Sequence, residues 1–175
     1  MLGIHHSGVV VSDLDRSIDF YVNVLGLTLL TEPGQPMCGD RVEHMVETPG
    51  AVLKGVLLKV GDAAIELHQY IAPESPSDKP PVPFALGAQH VALLVRDIVA
   101  ERGRIEARGG TFSTIINVND GGHAAGLRTS FIKDPDGVRI ELVEVAYWNF
   151  DDRERNIAAY WASRAAGERS AHPAE

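Results

Sequence analysis

His6-Ser-Gly-Val-Val-Val-Ser-Asp13 opens a pattern that returns as His90-Val-Ala-Leu-Leu-Val-Arg-Asp97. In each copy an aspartate follows the histidine by seven residues, and a glycine (Gly26 or Gly110) follows the aspartate by thirteen. Ile65-Glu66-Leu67 ends the first copy and Ile140-Glu141-Leu142 the second. A repeat of this length fixes the architecture before any local assignment is made. It divides the chain into two equivalent modules, each with one early histidine and one late glutamate. Two imidazoles and two carboxylates make up a ligand set for a divalent cation.

The rest of each module reads outward from these anchors. Residues 4–11 and 89–95 are strands. Asp13 and Asp97 stand where helix N-caps belong. Leu14, Ile18, Tyr21, Val22 and Leu25 follow helical spacing, and Gly26 supplies the stop. Residues 97–107 form the matching helix, ended by Gly109-Gly110. Residues 27–31 and 111–116 read as extended, 40–48 as a short helix or loop, and 117–126 as a flexible glycine-bearing loop. Residues 52–60 and 63–70 are strands around a Gly61-Asp62 turn, and 129–133 and 138–145 are strands across Asp134-Pro-Asp-Gly137. Residues 72–87 carry five prolines and form a linker.

The predicted fold is therefore α+β. Two tandem βαβββ modules, 1–71 and 88–147, place curved mixed sheets around a cleft within one compact domain. Residues 148–175 add a C-terminal helix and tail, with Ile157, Tyr160 and Trp161 on one stripe.

Strand alternation sorts the side chains. Glu66 shares a face with Ala64 and His68, and Glu141 with Arg139 and Val143. Ile65, Leu67, Ile140 and Leu142 take the opposite, core face. The glutamates thus project away from the helices, and if both sheets bend around one cleft, His6, Glu66, His90 and Glu141 converge as metal ligands. Aligning the modules places His6 on His90 and His5 on Gln89, so His5 is expected to turn aside, at the surface or toward the helix. His68 is expected to line the pocket and Gln69 to point away. His44 and His123 fall in loops. With His68, His123 and Arg128 are the candidate substrate contacts: His123 through loop closure, Arg128 by neutralising an anionic group.

Bulk composition narrows the function. At 175 residues the chain can bury a proper core. A formal charge of −8 argues against nucleic acid and anionic membranes as partners, since both reward clustered Lys and Arg. Cys38 stands alone, which excludes an internal disulfide framework and a cysteine zinc site. No basic segment followed by an apolar run opens the chain, and no stretch approaches the roughly 20 apolar residues of a membrane span. A cytoplasmic setting is expected.

With these motifs in place, the chain resembles the vicinal oxygen chelate superfamily, which groups glyoxalase I, bleomycin resistance proteins, methylmalonyl-CoA epimerase, extradiol dioxygenases and fosfomycin-inactivating thiol transferases. The resemblance covers residues 4–145. It rests most heavily on the His6–Asp13 stretch, the Phe20-Tyr21…Leu25-Gly26 helix end and Asp134-Pro-Asp-Gly-Val-Arg-Ile-Glu141-Leu. Carried over by position, it implies metal ligands at His6, Glu66, His90 and Glu141. The ligand set is similar to that of bacterial glyoxalase I. Extradiol dioxygenases resemble a two-His-one-carboxylate site, and the epimerase often has Gln where this chain has Glu66.

The chemistry implied is that of a divalent-metal-dependent lyase, isomerase or epimerase. A substrate with vicinal oxygens chelates Ni²⁺, Co²⁺, Mn²⁺, Fe²⁺ or Zn²⁺, the acidified C–H loses its proton, and an enediolate results. Glu141 is the first choice of base, with Glu66 its partner. Two other readings stand beside this one: a ring-cleaving extradiol-type dioxygenase, and a resistance-type protein that only binds its small molecule. The expected partners are a small-molecule substrate and a second copy of the chain, since the stripe at 157–161 needs cover and the family is commonly dimeric.

Overall fold

The computed structural model describes residues 3–120 and 126–145. His123 and the helix expected within 148–175 lie outside the described residues. Met1–Glu144 forms one compact unit, to which everything below belongs.

The first module contains β1 (His6–Val10), α1 (Leu14–Asp19), β2 (Thr28–Leu29), α2 (Asp40–Met45), β3 (Val52–Val60) and β4 (Ala63–Ala72). The second contains β5 (His90–Val95), α3 (Ile98–Glu106), β6 (Asn117–Val118), β7 (Arg128–Lys133) and β8 (Arg139–Glu144). The sheets are four-stranded, ordered β1-β4-β3-β2 and β5-β8-β7-β6. In each, the first strand runs parallel to the last and the other neighbours are antiparallel. The modules are thus topological copies, as the repeat requires.

The aspartates of the repeat start the helices. Asp13 Oδ1 accepts from the Arg16 amide at 3.0 Å, and Asp97 Oδ1 from Val99 and Ala100, both at 3.0 Å. Each cap stabilises its helix by about 1 kcal/mol. A second cap recurs three residues beyond each glutamate. Gln69 Oε1 accepts from the Leu14 amide at 3.0 Å, and Glu144 Oε2 from the Ile98 amide at 2.6 Å. The strand that presents the candidate ligand therefore also positions the helix beneath it.

The helix stops differ between the modules. α1 continues into a π-helical turn, Phe20–Val24, before Gly26 turns with φ +82°. In the second module Gly109 takes the left-handed conformation, φ +90°. Gly110 is there for space: a Cβ on it would lie 2.4 Å from Ile105 Cγ2.

Three expectations are corrected. Residues 111–116 do not form a strand; only Phe112 bridges, to Ile132. Phe112 and Ile116 satisfy their apolar character by packing on the core, and the ladder resumes at Asn117–Val118, inside the stretch read as a loop. His44 sits exposed on α2, not in a loop.

Both modules place their inner faces on one hydrophobic cluster. Ile65 and Leu67 of β4, Ile140 and Leu142 of β8, and Leu14, Tyr21, Ile98 and Ile105 of the helices all belong to it. Polar ties reinforce this union. Arg104 of α3 donates to the carbonyl of Leu25, at the end of the other module's helix, at 2.7 Å. Tyr21 donates to Asp134 Oδ2 at 3.2 Å, while Asp134 Oδ1 accepts from the amides of Asp136 and Val138 at 2.9 and 2.8 Å. Asp136 in turn accepts from the Ser12 amide and hydroxyl and from Arg16.

Burial raises the Asp134 pKa, and burial beside Asp134 pushes the Tyr21 phenol well above its ordinary value. The linkage has a definite sign. An unfolded tyrosine ionises near about 10, whereas folded Tyr21 keeps its proton, so the stability it contributes is present below that pH and declines above it. Urea midpoints measured from pH 8 to 11 should fall more steeply for wild type than for Tyr21→Phe. Parallel curves would show that the phenol carries no such coupling.

Candidate metal centre

In the first sheet, Glu66 lies on the outer face of β4, opposite Gly8 of β1 and Leu57 of β3. Gly8 carries no side chain to block the row, and the His6 ring two residues earlier reaches Glu66, with Nε2 3.0 Å from Oε2. His68 joins from the other end, with Nε2 3.2 Å from the same oxygen. Its ring lies across Gly55, where a Cβ would stand 2.9 Å from His68 Cδ2 and 2.8 Å from the Leu67 carbonyl. A glycine at 55 is thus what lets His68 lie down beside Glu66.

The second sheet repeats the arrangement with different company. Glu141 lies opposite Ala92 of β5 and Phe131 of β7. His90 reaches it across the small Ala92, with Nε2 3.2 Å from Oε2. Val143 occupies the position equivalent to His68. Phe131 packs edge-on against the His90 ring, with centroids 5.4 Å apart. The Arg139 guanidinium covers the Phe131 ring at 4.1 Å.

The structure therefore pairs His6 with Glu66 and His90 with Glu141, in the same register. It does not bring the two pairs together. Among the described residues no group of three or more His, Cys, Asp or Glu is arranged to hold a metal ion. The two imidazoles of the first half converge on the Glu66 carboxylate oxygen and not on a shared open point. The physical reason is the common core. Both sheets turn their inner faces to it, so both outer faces, with their glutamates, point away. In place of the cleft expected to gather all four residues within one copy, the structure has two outward His–Glu pairs. The donor atoms still suit a divalent metal: each half offers an imidazole nitrogen and a carboxylate oxygen, and the histidine side chains are 40% and 42% exposed.

Other expected contacts are placed as follows. His68 is on the Glu66 face, as alternation requires. Gln69 points to the helix side. His5 is exposed, at the surface, one of the two places expected for it. It precedes β1, so strand alternation does not govern it, and its Nδ1 lies 2.7 Å from His6 Nδ1. Arg128 is corrected. It pairs across the strands with Glu144, Nη1 to Oε1 2.9 Å, on the face opposite Glu141, and so braces the carboxylate that caps α3. The Glu141 face carries Arg139, with Lys133 opposite it on β7. Alternation had placed Arg139 there, but its setting against Phe131 depends on the β7–β8 register, which sequence does not reveal.

Comparisons with known proteins agree with this topology. The family model described as Glyoxalase/Bleomycin resistance protein/Dioxygenase superfamily matches residues 3–142. A lactoylglutathione lyase from Salmonella typhimurium is 32% identical, over 79% of this chain and 90% of the relative. A 2-epi-5-epi-valiolone epimerase from an Actinomyces species is 26% identical, over 82% and 80%. The crystal structure of a glyoxalase family protein from Bacillus cereus superposes with a TM-score of 0.67 at 21% identity, covering 82% of this chain and 94% of that one. No helix among the described residues is long and apolar enough to cross a membrane. The chain belongs to the Glyoxalase/Bleomycin resistance protein/Dioxygenase superfamily.

Proposed function

We propose that this protein is a divalent-metal-dependent lyase or isomerase, glyoxalase- or epimerase-like, acting on a small substrate with vicinal oxygens. The observation that carries the reading is the matched pair of His–Glu half-sites on two outward sheet faces. Superfamily members commonly use a divalent metal, and relatives named as a lyase and an epimerase align over most of the chain.

The half-sites meet when two copies associate about a twofold axis. The first face of one copy then stands against the second face of the other, and the symmetry makes this contact twice, giving two complete sites. Apolar side chains on these faces favour such cover: Val10 and Leu94 are 56% and 61% exposed. His6, Glu66, His90 and Glu141 would hold the metal, which would supply Lewis-acid polarisation of a substrate carbonyl and so acidify the neighbouring C–H. Glu141 takes that proton and returns it, to the other face of the same carbon for epimerisation or to the next carbon for isomerisation. Glu66, held by two histidines, stays in place and orients the substrate.

Both parts of the proposal are tested together. His6→Ala and His90→Ala should each purify with little metal. Mixed and allowed to exchange subunits, they should recover about a quarter of wild-type metal and activity, because half of random dimers are mixed and each holds one intact site. Full metal in either variant overturns the site. No recovery on mixing, with subunit exchange verified, overturns the shared arrangement.

A further inference from the structure

The outer face of the second sheet carries an arginine that pairs with no acidic group among the described residues. Arg139 stands two residues before Glu141 on the same face of β8, aligned with His90 of β5 and Lys133 of β7. Its guanidinium is fixed by stacking on Phe131 at 4.1 Å. Among the described residues it makes no ion pair and no side-chain hydrogen bond, unlike Arg16, Arg102, Arg104 and Arg128. Stacking settles the plane of the fork and leaves its N–H edges free, and such a fork matches the two oxygens of a carboxylate or phosphoryl group. Phe131 also touches the His90 ring, so the free donors stand beside a candidate ligand and not at a remote edge.

Charge balance gives these donors a task. Glu66 and Glu141 already offset the two charges of a divalent cation. An anionic substituent on the substrate, and the charge that develops as the C–H proton leaves, then have no counter-charge among the ligands. Arg139 supplies one, with exposed Lys133 behind it.

We propose that Arg139 is a specificity-determining residue that reads an oxyanion next to the vicinal oxygens, so that this protein's substrates are carboxylated or phosphorylated. The inference rests on the reading of the two outer faces as halves of one metal-dependent site.

Hydroxamates test it, because they present vicinal oxygens and can carry a distal charge. Acetohydroxamate, succinomonohydroxamate and phosphonoacetohydroxamate are titrated calorimetrically into cobalt-loaded wild type, Arg139→Gln and Arg139→Lys. Wild type should bind at least one anionic probe about tenfold or more tightly than acetohydroxamate, the better of the two distinguishing carboxylate from phosphoryl. Arg139→Gln should erase the preference and leave acetohydroxamate within about twofold, as expected when only a charge-assisted contact is lost. Arg139→Lys keeps the charge without the planar fork and should lose part of the preference. It also covers the case in which the glutamine variant does not fold. Equal affinities in wild type, or an undiminished preference in either variant, overturn the assignment. If none of the three binds cobalt-loaded wild type, the metal-site reading falls and takes this inference with it.

Discussion

Glu141→Gln should slow the exchange of a substrate C–H with solvent by about 10²- to 10⁴-fold, the usual contribution of a positioned general base. The choice of Glu141 over Glu66 follows from their surroundings. Glu66 Oε2 is contacted by His6 at 3.0 Å and His68 at 3.2 Å, so moving it breaks two interactions. Among the described residues, His90 is the only ionisable partner of Glu141, at 3.2 Å. The less tethered carboxylate is the one free to take up and return a proton. Glutamine keeps the shape and an oxygen, so the fold and most bound metal should remain. The measurement is deuterium incorporation into hydroxyacetone in deuterated buffer, followed by NMR, with metal content checked on the same sample. Unchanged exchange would move the base to Glu66. Oxygen uptake with catechol in its place would favour ring cleavage.

The repeat made the modules, their caps and the two His–Glu pairs legible, because each depends on local spacing. Asp13 and Asp97 cap their helices whatever the rest of the chain does. How the modules meet was not legible. Tandem sheets with apolar inner faces can wrap a common cleft or share a common core, and Ile65, Leu67, Ile140 and Leu142 would be buried in either case. The difference decides whether the four ligands meet inside one copy. Arg128 and Arg139 show the same limit on a smaller scale. Alternation alone puts Arg139 beside Glu141, but only the β7–β8 register shows that Arg128 falls opposite Glu144, while Arg139 has no ion-pair partner among the described residues. Phe112 and Ile116 look like a strand from their composition, yet they pack on the core without joining the ladder.

Asp134→Ala should cost about 3 kcal/mol, since it leaves two backbone amides and the Tyr21 hydroxyl without their acceptor. For a chain of this length that corresponds to a melting point lower by about 6–12 °C. The loss reaches further than one turn. The Asp134–Gly137 corner holds Asp136 against Ser12 and Arg16, so loosening it slackens the tie to the start of α1. Asp134→Asn keeps an acceptor oxygen and should lose markedly less. Calorimetric melting of both variants checks the ordering, and equal midpoints for alanine and wild type would show that the corner carries no stability.

The unequal company of the two half-sites bears on handedness. A centre built from two identical His–Glu pairs is nearly indifferent to which way round a substrate lies. Either oxygen of a vicinal pair can take either seat, and either glutamate then faces the labile hydrogen. Such degeneracy yields mixed stereochemistry. His68 lying over Gly55 makes one wall polar and shallow. Phe131 with Arg139 makes the other aromatic and cationic. On the proposed reading, a substrate that carries its charge at one end would then have a single favoured orientation, with one prochiral face presented to Glu141. On that reading the duplicated module would supply the ligands, and the divergence of its two copies the sense of direction.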